Sequence, residues 1–147
     1  MTRASAARGT VYSNGYVGSI VINALLLYAV GHLADWQIGW ITPAWSDVVW
    51  ALSLSLEVSI AANALFVVYD HDWLRYPLLA MCSLYALQAV FVLYMVYPFD
   101  FGPAWNDIGR LALLALILSI AIGTLVTVVL AVLHLARTAA HELGLNA

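Results

Sequence analysis

The chain has 147 residues, of which 65% are hydrophobic and 9% charged, with a net charge of −3, five arginines and no lysine. No water-soluble fold of this length needs that much apolar surface, and basic residues so few and scattered exclude a nucleic-acid-binding face. An integral membrane protein remains, with no room for a soluble domain beside its spans.

The first apolar run, 17–34, follows a head carrying Arg3 and Arg8. It is too long for the apolar core of a secretory signal, and Gly31-His32-Leu33-Ala34 lacks a small-x-small cleavage pattern, so it reads as a transmembrane helix. Three more runs follow at 48–68, 76–97 and 111–135. The single cysteine, Cys82, lies in the third and reads as a small packing residue, since no intramolecular disulfide is possible.

Arginine placement sets an orientation. Arg3, Arg8, Arg75 and Arg137 fall on one side of the spans and only Arg110 on the other, so the positive-inside rule places both termini in the cytoplasm and loops 35–47 and 98–110 outside. Trp36, Trp40, Trp45, Trp50 and Trp105 then gather at the outer boundary and Trp73 marks the inner one, as interfacial anchors do.

An internal repeat with an offset of sixty residues joins the two halves. Pro43-Ala44-Trp45-Ser46-Asp47 returns as Pro103-Ala104-Trp105-Asn106-Asp107, and Val58-Ser59-Ile60-Ala61 returns as Leu118-Ser119-Ile120-Ala121. The expected fold is all-α: a four-transmembrane-helix bundle of two duplicated hairpins, halves 17–68 and 77–128, with pseudo-two-fold symmetry along the membrane normal. The repeated element has a local reason, with Thr42 and Gly102 as N-caps, Pro43 and Pro103 as first helical residues, and Asp47 and Asp107 near the positive helix end.

Small residues spaced four apart permit close helix approach in lipid. Ser55, Ser59 and Asn63 form one such stripe, and Ala115, Ser119, Gly123 and Thr127 the other, and the two are expected to face each other as a structural helix contact.

Glu57 is the one acid deep inside a span, and its repeat counterpart is Ile117, so the acid is a specialisation of the first half. No cation lies at its depth; such an acid is carried as the neutral carboxyl, which donates a hydrogen bond. Candidate partners at that depth are Gln88 and Tyr85 on the third span and Asn23 and Tyr28 on the first. Either a structural hydrogen bond or a proton-carrying or ligand-binding role fits these residues. Nearer the outer side, Tyr28, His32 and Asp35 share a helical face and, with Tyr94, Asp100 and Trp40, form a candidate outer pocket; a histidine snorkelling to the interface is the competing reading. On the inner side, Asp70-His71-Asp72 with His134 and His141 has metal-ligand residue types without a ligand spacing, so no metal is assigned. His32 and His134 stand near opposite surfaces and cannot clamp one haem, and no cofactor is expected. No nucleophile–base pair, phosphate loop or paired catalytic carboxylates appear, which leaves an enzyme without positive support.

The run Tyr97-Pro98-Phe99-Asp100-Phe101, with Val58-Ser59-Ile60-Ala61-Ala62-Asn63 leading to Tyr69-Asp70 and Trp73, resembles a group of small four-span bacterial membrane proteins. The resemblance covers spans two and three and the following loop. It implies four helices and a bacterial inner (plasma) membrane location, and brings no activity or site.

Two functions are carried forward. One is a non-enzymatic bundle acting as an accessory, assembly or self-associating subunit, with the bilayer and another membrane protein or itself as partners. The other is a small transporter, proton pathway or lipophilic-ligand binder centred on Glu57.

Overall fold

The computed structural model describes the backbone of residues 3–69 and 72–142 and the side chains of 15–69 and 74–137. Four long helices account for nearly all of it: α1 (Arg3–His32), α2 (Ser46–Val68), α3 (Asp72–Val96) and α4 (Pro103–Glu142), with a single 3₁₀ turn at Pro43–Trp45 leading into α2. Each, α2 together with the 3₁₀ turn before it, provides a stretch long and apolar enough to cross a bilayer, namely Gly15–His32, Pro43–Val68, Leu74–Val96 and Pro103–Arg137. The chain is a multi-pass, all-α membrane protein.

The helices outrun the apolar runs that announce them. In α4, a chain of 40 residues is about 60 Å long at 1.5 Å per residue, twice the hydrocarbon thickness. Where helices stop, the sequence supplies a reason. Tyr97 turns out of α3 with φ 45°, its N–H still donating to the Leu93 carbonyl at 2.9 Å, and Pro98 follows. Gly102 adopts φ 89° immediately before α4, a conformation a side chain resists, and its carbonyl accepts the Asn106 N–H at 2.9 Å as the first helical bond. Thr42 stands at the N-cap of the 3₁₀ turn with Pro43 following, as expected; its side chain makes no cap bond, and its carbonyl accepts the Trp45 N–H at 3.0 Å.

Packing runs in chain order. α1 packs on α2, α2 on α3 and α3 on α4, with no contact of comparable extent between α2 and α4 or between α1 and α4. Short connections make neighbouring helices antiparallel, and the two longer loops meet at one end, where Ile41 bridges Phe99, the Thr42 N–H donates to the Pro98 carbonyl (3.0 Å) and the Asp100 N–H to the Trp40 carbonyl (2.8 Å). Trp40, Trp45, Tyr97, Phe99 and Phe101 stack through this end as an aromatic cap. Elsewhere large apolar side chains point outward on all four helices, Leu25, Ile122 and Leu125 each 65% exposed. In water such a surface would aggregate; in lipid it is the solvated face.

This order overturns the expected contact between the two small-residue stripes. Ser55 and Ser59 line a cleft with residues of α1 and α3 and Asn63 donates to the Ser59 carbonyl of its own helix, whereas Ser119 and Thr127 return their hydroxyls to the Ala115 and Gly123 carbonyls at 2.9 and 2.8 Å. A side chain at Gly123 would meet nothing within 4 Å, so that glycine marks no close approach.

The two copies of the repeated element also differ in setting. Trp45 is 5% exposed and its indole N–H donates to the Val30 carbonyl of α1 at 3.2 Å, while Trp105 is 66% exposed. A two-fold operation would turn the α2–α3 contact into an α4–α1 contact of equal extent, and the helices do not pack that way.

Candidate intramembrane polar site

Two polar features lie at mid-depth, on opposite sides of the helix layer. The first is a cleft of about 360 Å³ bounded by α1, α2 and α3 and lined by Asn23, Ser55, Leu56, Ser59, Cys82, Ser83 and Ala86. Spacing brings these together: Ser55 and Ser59 are one turn apart on α2, and Cys82 and Ala86 one turn apart on α3. Asn23 closes the arrangement from α1 by donating its amide to the Ser59 hydroxyl at 2.9 Å, across the helix interface. Asn63 donates to the Ser59 carbonyl at 2.7 Å, and Ser83 returns its hydroxyl to the Leu79 carbonyl at 2.9 Å.

The second feature is Glu57, the central residue of α2. It lies about half a turn around the helix from Ser55 and Ser59, on the exposed face shared with Trp50, Ala61, Ala64 and Val68. Gln88 is likewise exposed and about half a turn from Ala86 on α3. Because Ser55, Ser59 and Ala86 line one cleft, Glu57 and Gln88 open onto the same opposite side of the layer. Among the described residues neither side chain has a hydrogen-bond partner.

The sequence had grouped Glu57 with Gln88, Tyr85, Asn23 and Tyr28. Only Gln88 shares its side as an exposed neighbour. Asn23 belongs to the cleft behind, half-buried Tyr85 makes no bond to the acid, and exposed Tyr28 stacks on His32 with ring centroids 4.2 Å apart.

The expected outer pocket does not assemble. His32 is exposed and its Nδ1 faces the Tyr28 carbonyl at 2.9 Å, the local arrangement of a snorkelling helix end. Asp35 is exposed, and its backbone N–H, not its carboxylate, meets the His32 carbonyl at 3.0 Å. Asp100 is occupied by the start of α4, accepting from the Gly102 N–H at 3.2 Å and the Asn106 amide at 3.4 Å, and Tyr94 is half-buried on α3. A concavity of about 230 Å³ does exist beside them, but Leu33, Gln37, Ile41 and Trp45 are among its walls and none of the six residues of the expected pocket is.

At the opposite end, Asp70 and His71 lie outside the described residues, as do the side chains of Asp72 and His141, while His134 packs against Tyr76 with centroids 5.2 Å apart. No metal-ligand cluster occurs among the described residues.

Cys82 and Ser83 are the cleft residues that sequence reasoning undervalued. Their only signal was register: with Ala86 they repeat at one-turn spacing at the depth where Ser55 and Ser59 repeat on α2. Compared with protein-family models, with characterised proteins and with solved structures, the chain matches none.

Proposed function

We propose that this protein is a self-associating membrane subunit whose contact surface is the α2–α3 face carrying Glu57 and Gln88. One observation carries the proposal. A carboxyl at the centre of a spanning helix is exposed on the monomer, without a partner, where lipid offers no hydrogen bonds and each unsatisfied polar group costs several kcal/mol.

A second copy supplies what the first lacks. Glu57 and Gln88 open onto one side of the layer, within about one helical turn of each other in depth. A two-fold axis along the membrane normal between the copies brings each Glu57 against its partner's Gln88, whose amide nitrogen donates to the carboxyl. Ala61 and Ala64 on the same face allow close backbone approach. The proton-pathway alternative has less behind it, because Glu57 faces away from the polar cleft at its depth.

The arginine distribution supports cytoplasmic termini, and the resemblance to small bacterial four-span proteins supports an inner-membrane setting. The P-A-W-x-D repeat supports descent from a duplicated hairpin whose halves have since diverged in packing.

Native mass spectrometry of the full chain released from lipid nanodiscs tests the association. Wild type is expected as a complex of two 16.0 kDa chains and Glu57→Leu as a monomer. A wild-type monomer, or a Glu57→Leu variant as dimeric as wild type, would overturn the proposal.

A further inference from the structure

The cleft behind Glu57 has no place in self-association, since it opens on the other side of the layer. It stands near the middle of all three helices that bound it: Asn23 is central in Gly15–His32, Ser55 and Ser59 flank the centre of α2, and Cys82 and Ser83 lie near the centre of Leu74–Val96. Polar groups collected at this depth need partners, because the surrounding medium provides none.

Counting donors and acceptors shows what is left over. The Asn23 amide uses one hydrogen on Ser59, which leaves its second hydrogen and its carbonyl oxygen free. Ser83 is satisfied by its own helix, whereas the Ser55 hydroxyl has no partner among the described residues, although it lies in the cleft. The Ser59 hydroxyl only accepts, so its hydrogen is also free, and three donors (Asn23, Ser55, Ser59) with the Asn23 carbonyl as acceptor converge from two helices on a space of about 360 Å³, within the range of small-ligand sites and of the size of a ring-bearing head group, not of a whole lipid. No Asp, Glu, Arg or His lines it. A phosphate or carboxylate head would be stranded there without a counter-charge.

From this donor set we infer that the cleft binds the carbonyl-bearing head of an uncharged lipophile that enters from the bilayer, with the Ser55 hydroxyl and the Asn23 amide donating to the carbonyl oxygen and the apolar body lying along Leu56 and Ala86. It is a binding site separate from the Glu57 face, and the failure of either leaves the other standing.

Decyl-benzophenone is a suitable probe, because its carbonyl-bearing ring system is itself the photoreactive group. The full chain in nanodiscs is irradiated with it, and the labelled peptides are mapped by mass spectrometry. Label is expected to concentrate at Asn23, Ser55, Ser59, Cys82 and Ser83, and to be displaced by excess decyl phenyl ketone but not by decylbenzene. Ser55→Ala, which removes a hydroxyl with no structural bond, should weaken probe binding about fivefold, the worth of one hydrogen bond, with thermal stability unchanged. Label spread evenly over the lipid-facing Leu116, Ile122 and Leu125, equal displacement by decylbenzene, or undiminished binding to Ser55→Ala would each overturn the inference.

Discussion

Tyr97 is buried at the aromatic end, 7% exposed. Its backbone sits at φ 45°, unusual for a bulky residue; its ring lies edge-on to Phe99, and the Arg110 guanidinium carbon stands 4.8 Å from the ring centroid. Its hydroxyl is buried without a partner, directly over Gly109, where an added Cβ would collide with it. Gly109→Ala is therefore expected to lower stability by about 1–3 kcal/mol, read as a fall in melting temperature in nanodiscs. Adding Tyr97→Phe should restore part of that loss by removing the colliding atom, and Tyr97→Phe alone should be neutral or stabilising, because it deletes an unsatisfied buried group. The same contact explains Arg110, the one arginine at the aromatic end: its charge is used on a tyrosine ring. The two repeated tryptophans separate in the same assay. Trp45→Phe should cost about 1 kcal/mol through the lost bond to Val30, and Trp105→Phe should change little.

For the helices, hydropathy located all four, and the helices extend beyond the apolar runs. Apolarity reports where the hydrocarbon is, whereas the backbone hydrogen-bond ladder also runs through polar residues; α4 begins at Pro103, directly after Gly102 at φ 89° and well ahead of the apolar run that starts at 111. Small-residue stripes were visible as spacing, but spacing does not say which neighbour a stripe meets. Ser59 met Asn23 of α1 because α1 and α3 flank the cleft side of α2, and the α4 stripe satisfied itself by i−4 back-bonding. Glu57 was legible as an anomaly of composition, while its surroundings depended on the rotation of α2 about its axis, which no pattern within one helix discloses. The Asn23–Ser59 bond gives the element-level test. Asn23→Leu and Ser59→Ala should each loosen α1 by about 0.6–1.7 kcal/mol, and the double variant should lose less than the sum, measured by steric trapping or by denaturation in mixed micelles.

On the scale of the whole molecule, four helices packed in chain order form a layer and enclose little, so the two sides of that layer carry what function there is: a polar cleft on one, an unpartnered acid on the other. The acid is the stronger constraint, because an uncovered carboxyl at mid-bilayer opposes the monomer directly. Glu57→Leu should therefore raise the stability of the isolated chain while removing its tendency to pair, and Glu57→Gln, which keeps a hydrogen-bonding group, should pair more weakly than wild type but more strongly than Glu57→Leu. The most direct measurement is disulfide trapping in the native membrane, in a Cys82→Ala background, between one chain carrying Glu57→Cys and a size-tagged second chain carrying Gln88→Cys. The mixed disulfide should form readily, at several times the yield from a Leu116→Cys pair on the lipid-facing side of α4. A yield no greater than that of the Leu116 pair would contradict association through the Glu57 face.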